Sequence, residues 1–129
     1  MIQAPILNGD TESGVTIIRM VDKLDAGAIF AQQSLVIDKA ETTESLTDKL
    51  AKLGGQLIVQ TIKDIVVGKI EPIEQDSSLV TYVKKLTKAD GLIDWTREAV
   101  YLERFVRAMS PWPSAWTWMS GRQLKILAI

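Results

Sequence analysis

The chain has 129 residues, 47% of them apolar and 24% charged, with a formal net charge of −1, the make-up of one small globular domain or parts of two. It contains neither cysteine nor histidine, which excludes disulfides, thiolate metal sites, imidazole metal ligands and any His-assisted nucleophile within the chain. Global charge gives nucleic-acid binding no support without a local patch, no apolar run approaches the roughly 20 residues of a membrane span, and Met1-Ile2-Gln3 does not open a signal peptide; a cytoplasmic protein is expected.

In chain order, "LNGDTESG" (7–14) is a cluster of turn formers after a short apolar start. "VTIIRM" (15–20) is rich in β-branched residues and predicts a strand, largely buried. "AIFAQQSLVI" (28–37) predicts a second extended segment. Between them lies a loop with Asp22 and Asp25, the latter directly before Ala26-Gly27. A carboxylate presented on a tight bend can do acid–base chemistry, or it can simply cap the turn. Spacing alone leaves both open.

From Thr42 the period changes. Leu46, Leu50, Leu53, Leu57, Ile58, Ile62, Ile65 and Val66 recur at helical spacing, which predicts an amphipathic helix of roughly 35–40 Å. Thr42 or Thr43 can cap its start and Gly68 can end it. Gly54-Gly55 in its middle should cost about 1 kcal/mol each relative to alanine, which points to a kink or a close backbone approach. These glycines match no phosphate-binding fingerprint.

"EPIEQDSSLVTYVKKLTKADG" (71–91) has the character of a linker and holds a basic cluster, Lys84, Lys85 and Lys88. Thr96 can cap a helix that Pro111 stops near Ser110. Leu102, Phe105, Val106 and Met109 form one face of it, with Arg97, Arg104 and Arg107 roughly opposite. "AWTWMSGRQLKILAI" (115–129) predicts a hairpin turning at Ser120-Gly121. Trp95, Trp112, Trp116 and Trp118 are expected in the core, Trp116 and Trp118 on one strand face, with Pro111-Trp112-Pro113 as a packed corner. A chain ending on the apolar "LKILAI" leaves a sheet edge open, and both ends read as cut.

Two blocks carry a family resemblance. "ILNGDTESGVTIIRMVDKLDAGAIFAQ" closely resembles the second half of the catalytic domain of the folate-dependent formyltransferases, and "ADGLIDWTREAVYLERFVRAMSPWPSAWTW" the opening of the C-terminal domain of their methionyl-tRNA formyltransferase branch. The Asp-Ala-Gly loop is shared by folate-dependent members; the "RAMSPWPSAWT" ending favours the tRNA branch over sugar-nucleotide formyltransferases. Met1 stands where the family commonly has proline, and Pro5 falls inside what is usually a helix.

The resemblance implies an α/β chain: part of a Rossmann-like formyltransferase domain (1–72), a linker (73–88) and the start of an OB-like β-barrel that binds tRNA (89–129). It implies transfer of a formyl group from 10-formyltetrahydrofolate to the amino group of methionyl initiator tRNA, without a metal. Of the family's asparagine, histidine and aspartate, only the aspartate maps here, as Asp25; the others are expected upstream, so the chain alone is expected to be inactive. Val21, Asp22, Lys23 and Leu24 line the loop whose backbone helps to hold the pterin, though Asp22 itself has no role to carry over. Lys84, Lys85, Lys88, Arg97, Arg104 and Arg107 are the candidate tRNA contacts, against the plainer reading of a solvated basic surface. A full-length member is expected to be a monomer. The alternatives are a piece of a sugar-nucleotide formyltransferase and a non-catalytic RNA-binding module.

Overall fold

A computed structural model describes residues 2–128; the expectation about Met1 lies outside them. The chain forms two compact units, and each is threaded by separate stretches of sequence. One gathers the chain up to Glu12, Val36–Thr47 and everything from Val83; the other is Ser13–Leu35 with Asp48–Tyr82.

In the first unit, α1 (Gln3–Asn8) ends on Gly9 in the left-handed conformation, whose N–H bonds the Ile6 carbonyl. Pro5 is tolerated because it falls in the first turn, where backbone N–H groups have no helical partner. The first turns of α2 (Thr43–Val66) also belong here. So do a short 3₁₀ turn (Lys88–Gly91), α3 (Ala99–Met109), and β3 (Ala115–Met119) paired antiparallel with β4 (Arg122–Ile126). The core is Leu86, Ile93, Phe105, Val106, Met109 and Ala115, with Leu7, Tyr101, Leu102 and Ile126 packed against it. The apolar face read from the sequence for α3 is therefore the buried one.

The start of α3 is not where the sequence placed it. Thr96 donates its hydroxyl to Asp94 and receives no helix cap; the helix begins after Glu98, which makes no side-chain cap either. Arg97 consequently lies outside α3, ion-paired with Asp94 at 3.7 Å and over the Tyr101 ring. Ser120 and Gly121, with φ of 51° and 75°, make the tight turn of the β3–β4 hairpin as expected. The bonds Ser110–Pro111 and Trp112–Pro113 are cis.

The second unit holds most of β1 (Glu12–Ile18), most of β2 (Ile29–Val36) and the remainder of α2. β1 begins earlier than read and alternates exposed with half-buried residues instead of being largely buried. It pairs with β2 in a two-stranded sheet. Helix α2 runs through Gly54-Gly55 without a break and ends at Gly68, which takes φ of 67°. A Cβ on Gly54 would sit 3.4 Å from the Val15 side chain, ordinary packing, and one on Gly55 would meet nothing. The expected close approach to another backbone is therefore not found at either glycine.

Among the described residues the sheets are two antiparallel pairs, with isolated bridges Ile29–Ile73 and Leu92–Trp116. No described helix is long and apolar enough to cross a membrane.

Three of the four tryptophans correct the core assignment: Trp95, Trp112 and Trp118 are all more than half exposed. Their apolar area cannot be claimed by a core the size of this one. Trp116 is half-buried, and its ring meets that of Trp118 edge-on at 6.0 Å, so the shared strand face holds.

Candidate functional site

The loop between β1 and β2 in the second unit brings the first set of candidate residues together. Its base is closed by the Arg19 N–H to the Ala28 carbonyl at 2.8 Å. At the same base Ile29 and Ile73 exchange two backbone bonds, 2.7 and 2.8 Å. Gly27 is required by space: a Cβ there would come 1.7 Å from the Arg19 carbonyl oxygen. Inside the loop the Ala26 N–H reaches the Lys23 carbonyl at 3.4 Å.

One further residue fixes it. The Gln75 side-chain amide donates to the carbonyls of Asp25 (2.8 Å) and Gly27 (2.7 Å). A primary amide has two donors, and both are spent on the two carbonyls that flank Ala26. Nothing in the local sequence marked Gln75, which lies 50 residues from Asp25 in the linker-like stretch.

Asp25 takes φ of 53°, the left-handed region that costs an ordinary L-residue of order 1–3 kcal/mol. Aspartate enters that region more readily than most residues because its carboxylate can bond the local backbone. Here it does not: among the described residues no hydrogen bond or ion pair engages the Asp25 carboxylate. The turn-capping reading therefore loses its mechanism. The carboxylate stands exposed on a loop whose backbone is pinned from behind.

Val21, Asp22, Lys23 and Leu24 are all exposed, Leu24 at 87%. Met20 and Val21 add apolar surface beside it, and the main-chain groups of Val21, Asp22 and Leu24 take no part in the bonds that hold the loop. An exposed apolar strip beside uncommitted backbone donors and acceptors has the chemistry to hold a flat heteroaromatic ring by its edge and faces. Among the described residues no group of three or more metal-ligating acidic side chains is present.

The basic candidates lie in the first unit, and they are not equivalent. Lys84 is paired with Asp90 at 2.7 Å. That pairing, with hydrogen bonds from the Thr87 side chain and backbone, holds the Asp90 carboxyl well below the usual carboxylate range. Lys85 and Lys88 are exposed. Arg107 is committed to the fold: it bonds Glu103 through two nitrogens and donates to the Glu41 carbonyl at 2.6 Å. Glu103 is lowered in pKa chiefly by that guanidinium. Arg104 lies against Gly9, where a Cβ would come 2.1 Å from its Nη1, and its Nε is buried without a partner. Together with Ile6, Asp10, Ile37 and Lys39 it lines a depression of about 540 Å³. The three arginines do not form one open stripe.

The formyl transferase family matches residues 1–62 and the formyl transferase C-terminal domain matches residues 85–129. The chain belongs to the formyl transferase family of enzymes. It is 49% identical over 115 residues to the methionyl-tRNA formyltransferase of Nitratidesulfovibrio vulgaris (strain DP4), a stretch that covers 89% of this chain and 35% of that protein. To the methionyl-tRNA formyltransferase of Pseudomonas fluorescens (strain SBW25) it is 45% identical over 127 residues, covering 98% and 40%. Among solved structures, the N-formyltransferase of Helicobacter canadensis in complex with folinic acid and dTDP-3-aminofucose superimposes with a TM-score of 0.82. The identity is 22%, with 98% of this chain and 46% of that one covered, a likeness of fold. The chain spans little more than a third of the length of these curated relatives.

Proposed function

We propose that the chain carries one catalytic corner and part of the folate-binding loop of a methionyl-tRNA formyltransferase, which moves a formyl group from 10-formyltetrahydrofolate to the amino group of methionyl initiator tRNA. The observation that carries this reading is Asp25: an exposed carboxylate, unused by its own turn, on a left-handed backbone held by Gln75. The names of the relatives at 40–49% identity support the choice of acceptor.

Bound at this loop, the folate supplies the activated formyl carbon. The uncommitted main-chain groups of Val21, Asp22 and Leu24, with the N–H of Lys23, orient its ring, and Leu24 and Val21 cover apolar faces. Asp25 acts as proton acceptor and electrostatic partner. An amine attacks only after losing a proton, and a fixed carboxylate favours that loss; paired with a cation it also favours the charge distribution that stabilises a developing oxyanion. No histidine is present in these 129 residues to serve as that cation. We therefore propose that the chain alone is catalytically silent, and that it acts in a cytoplasmic enzyme with the remaining catalytic residues supplied outside this stretch. We also propose that 1–72 belongs to the Rossmann-like catalytic domain, 73–88 to the linker and 89–129 to the start of an OB-like domain, and that the linker and this domain meet tRNA through Lys85, Lys88, Arg97 and Arg104, with Lys84 and Arg107 held in ion pairs beside them.

The test is in two arms. Titrating tetrahydrofolate into the 15N-labelled chain should shift the amide resonances of residues 20–27, and Gln75→Ala should weaken the effect. Shifts confined elsewhere would contradict the folate reading. Formation of formyl-methionyl-tRNA by the purified chain above a trace rate would contradict its silence.

A further inference from the structure

The outward face of the β3–β4 hairpin has features that neither a core nor the catalytic loop uses. Its strand pairing places Trp116 opposite Lys125 and Trp118 opposite Gln123, so these four side chains share one face of the sheet. Trp116 is held in place. Its indole N–H donates to the Lys88 carbonyl at 3.1 Å, and its ring edge lies where a Cβ on Gly91 would touch it at 3.0 Å. Trp118 stands edge-on against Trp116 with 60% of its surface exposed. An indole presented in this way loses little freedom on binding a planar partner.

The nearby acids are already paired, Asp90 with Lys84 and Asp94 with Arg97. No aspartate or glutamate follows Glu103 in the chain, while Lys125 lies on this face of β4. Lys88, whose carbonyl anchors Trp116, is a further exposed cation beside it. An exposed aromatic ring on a rigid support, with unpaired cations beside it, fits a single-stranded nucleic acid: a base stacks on the ring and the phosphates meet the cations.

We propose that the hairpin face formed by Trp118, Trp116, Gln123 and Lys125 is a stacking site for an unpaired nucleotide of RNA, with Trp118 as the platform. The proposal deepens the tRNA reading above and rests on it: it names an unpaired base, with its flanking phosphates, as what this surface takes. Trp95 serves as a control. It is equally exposed, but its indole N–H is committed to Thr117, on the opposite face of β3.

The experiment measures anisotropy of a labelled 12-mer oligouridylate, and separately of initiator tRNA, with the full 129-residue chain over a series of salt concentrations. Trp118→Ala should weaken oligouridylate binding by about five-fold or more, with Trp118→Phe restoring most of it because a flat ring remains. Lys125→Ala should reduce the salt slope by about 0.7, the value of one phosphate on a single strand. Trp95→Ala should leave both unchanged. Because Trp118 is exposed, circular dichroism should report the same fold in each variant. If the chain binds tRNA but Trp118→Ala stays within two-fold of the parent, the stacking site is wrong and the tRNA reading survives. If neither RNA binds, both are wrong. If sedimentation shows a dimer that Trp118→Ala dissolves with RNA binding intact, the face joins two copies of the chain and the proposal is overturned.

Discussion

At Asp25 two demands fall on one residue: a backbone with φ of 53° and a carboxylate left free. Asparagine tolerates the same backbone, so Asp25→Asn should leave the melting temperature unchanged while removing the charge. A β-branched residue does not, and Asp25→Val should cost about 1–2 kcal/mol in a denaturant titration. A fall of that size for Asn as well would mean that the carboxylate has a structural partner. Gln75 is the complementary case. Its loss leaves the exposed Asp25 carbonyl and the part-buried Gly27 carbonyl without this donor, so stability should drop by about 1–3 kcal/mol, and hydrogen exchange of residues 20–27 should quicken markedly. The aspartate and the bend were legible in the sequence because Asp-Ala-Gly is a local signal. Gln75 was not, because its role exists only once residues 48 and 50 positions away along the chain come to it. Nor did the sequence distinguish the two backbone demands of the turn. Asp25 takes the positive φ, while Gly27 is there for want of room beside the Arg19 carbonyl.

Among the elements, α2 and the β3–β4 hairpin followed from local pattern: a long apolar period closed by Gly68, and a Ser-Gly turn between strand-formers. The start of α3 did not, because the Thr96 hydroxyl is spent on Asp94. The exposed tryptophans were misread because indole area alone cannot say which face of a two-stranded sheet has a second layer. Two element-scale tests follow from bonds that hold helix ends. Thr43 at the start of α2 donates to the Ala108 carbonyl near the end of α3 at 2.6 Å, in a buried setting. That carbonyl is among the last four of the helix and has no intrahelical donor. Thr43→Val keeps the shape and removes the donor, and should cost about 1–3 kcal/mol; no change would show that the bond is replaceable. Asp90 caps the 3₁₀ turn beneath Trp116 through Thr87 and binds Lys84. Its pKa is lowered on folding, so its contribution is present above the unfolded aspartate value near 3.9 and is lost as pH falls toward the lower folded value. The stability gap between the parent and Asp90→Asn should therefore be constant above about pH 5 and shrink below about pH 4. A gap that widened on acidification would reverse the sign of the linkage.

For the whole molecule, the two units divide the proposed chemistry: the Asp25 loop lies in one, and the basic and aromatic surface in the other. The family was legible from the Asp-Ala-Gly block and the Trp-Pro corner because both are short contiguous motifs. The state of each cation was not, since Arg107 is consumed by Glu103 and Glu41, and Lys84 by Asp90. Asp25 is proposed as a working member of a formyl-transfer site. Its most direct test is a chimaera in which residues 1–129 replace the matching stretch of the Pseudomonas fluorescens relative, assayed for formyl-methionyl-tRNA with 10-formyltetrahydrofolate. The chimaera should be active, and Asp25→Asn within it should lower kcat by about 100-fold or more with the fold unchanged. An active chimaera that keeps its rate with asparagine at that position would show that the Asp25 carboxylate has no part in the transfer.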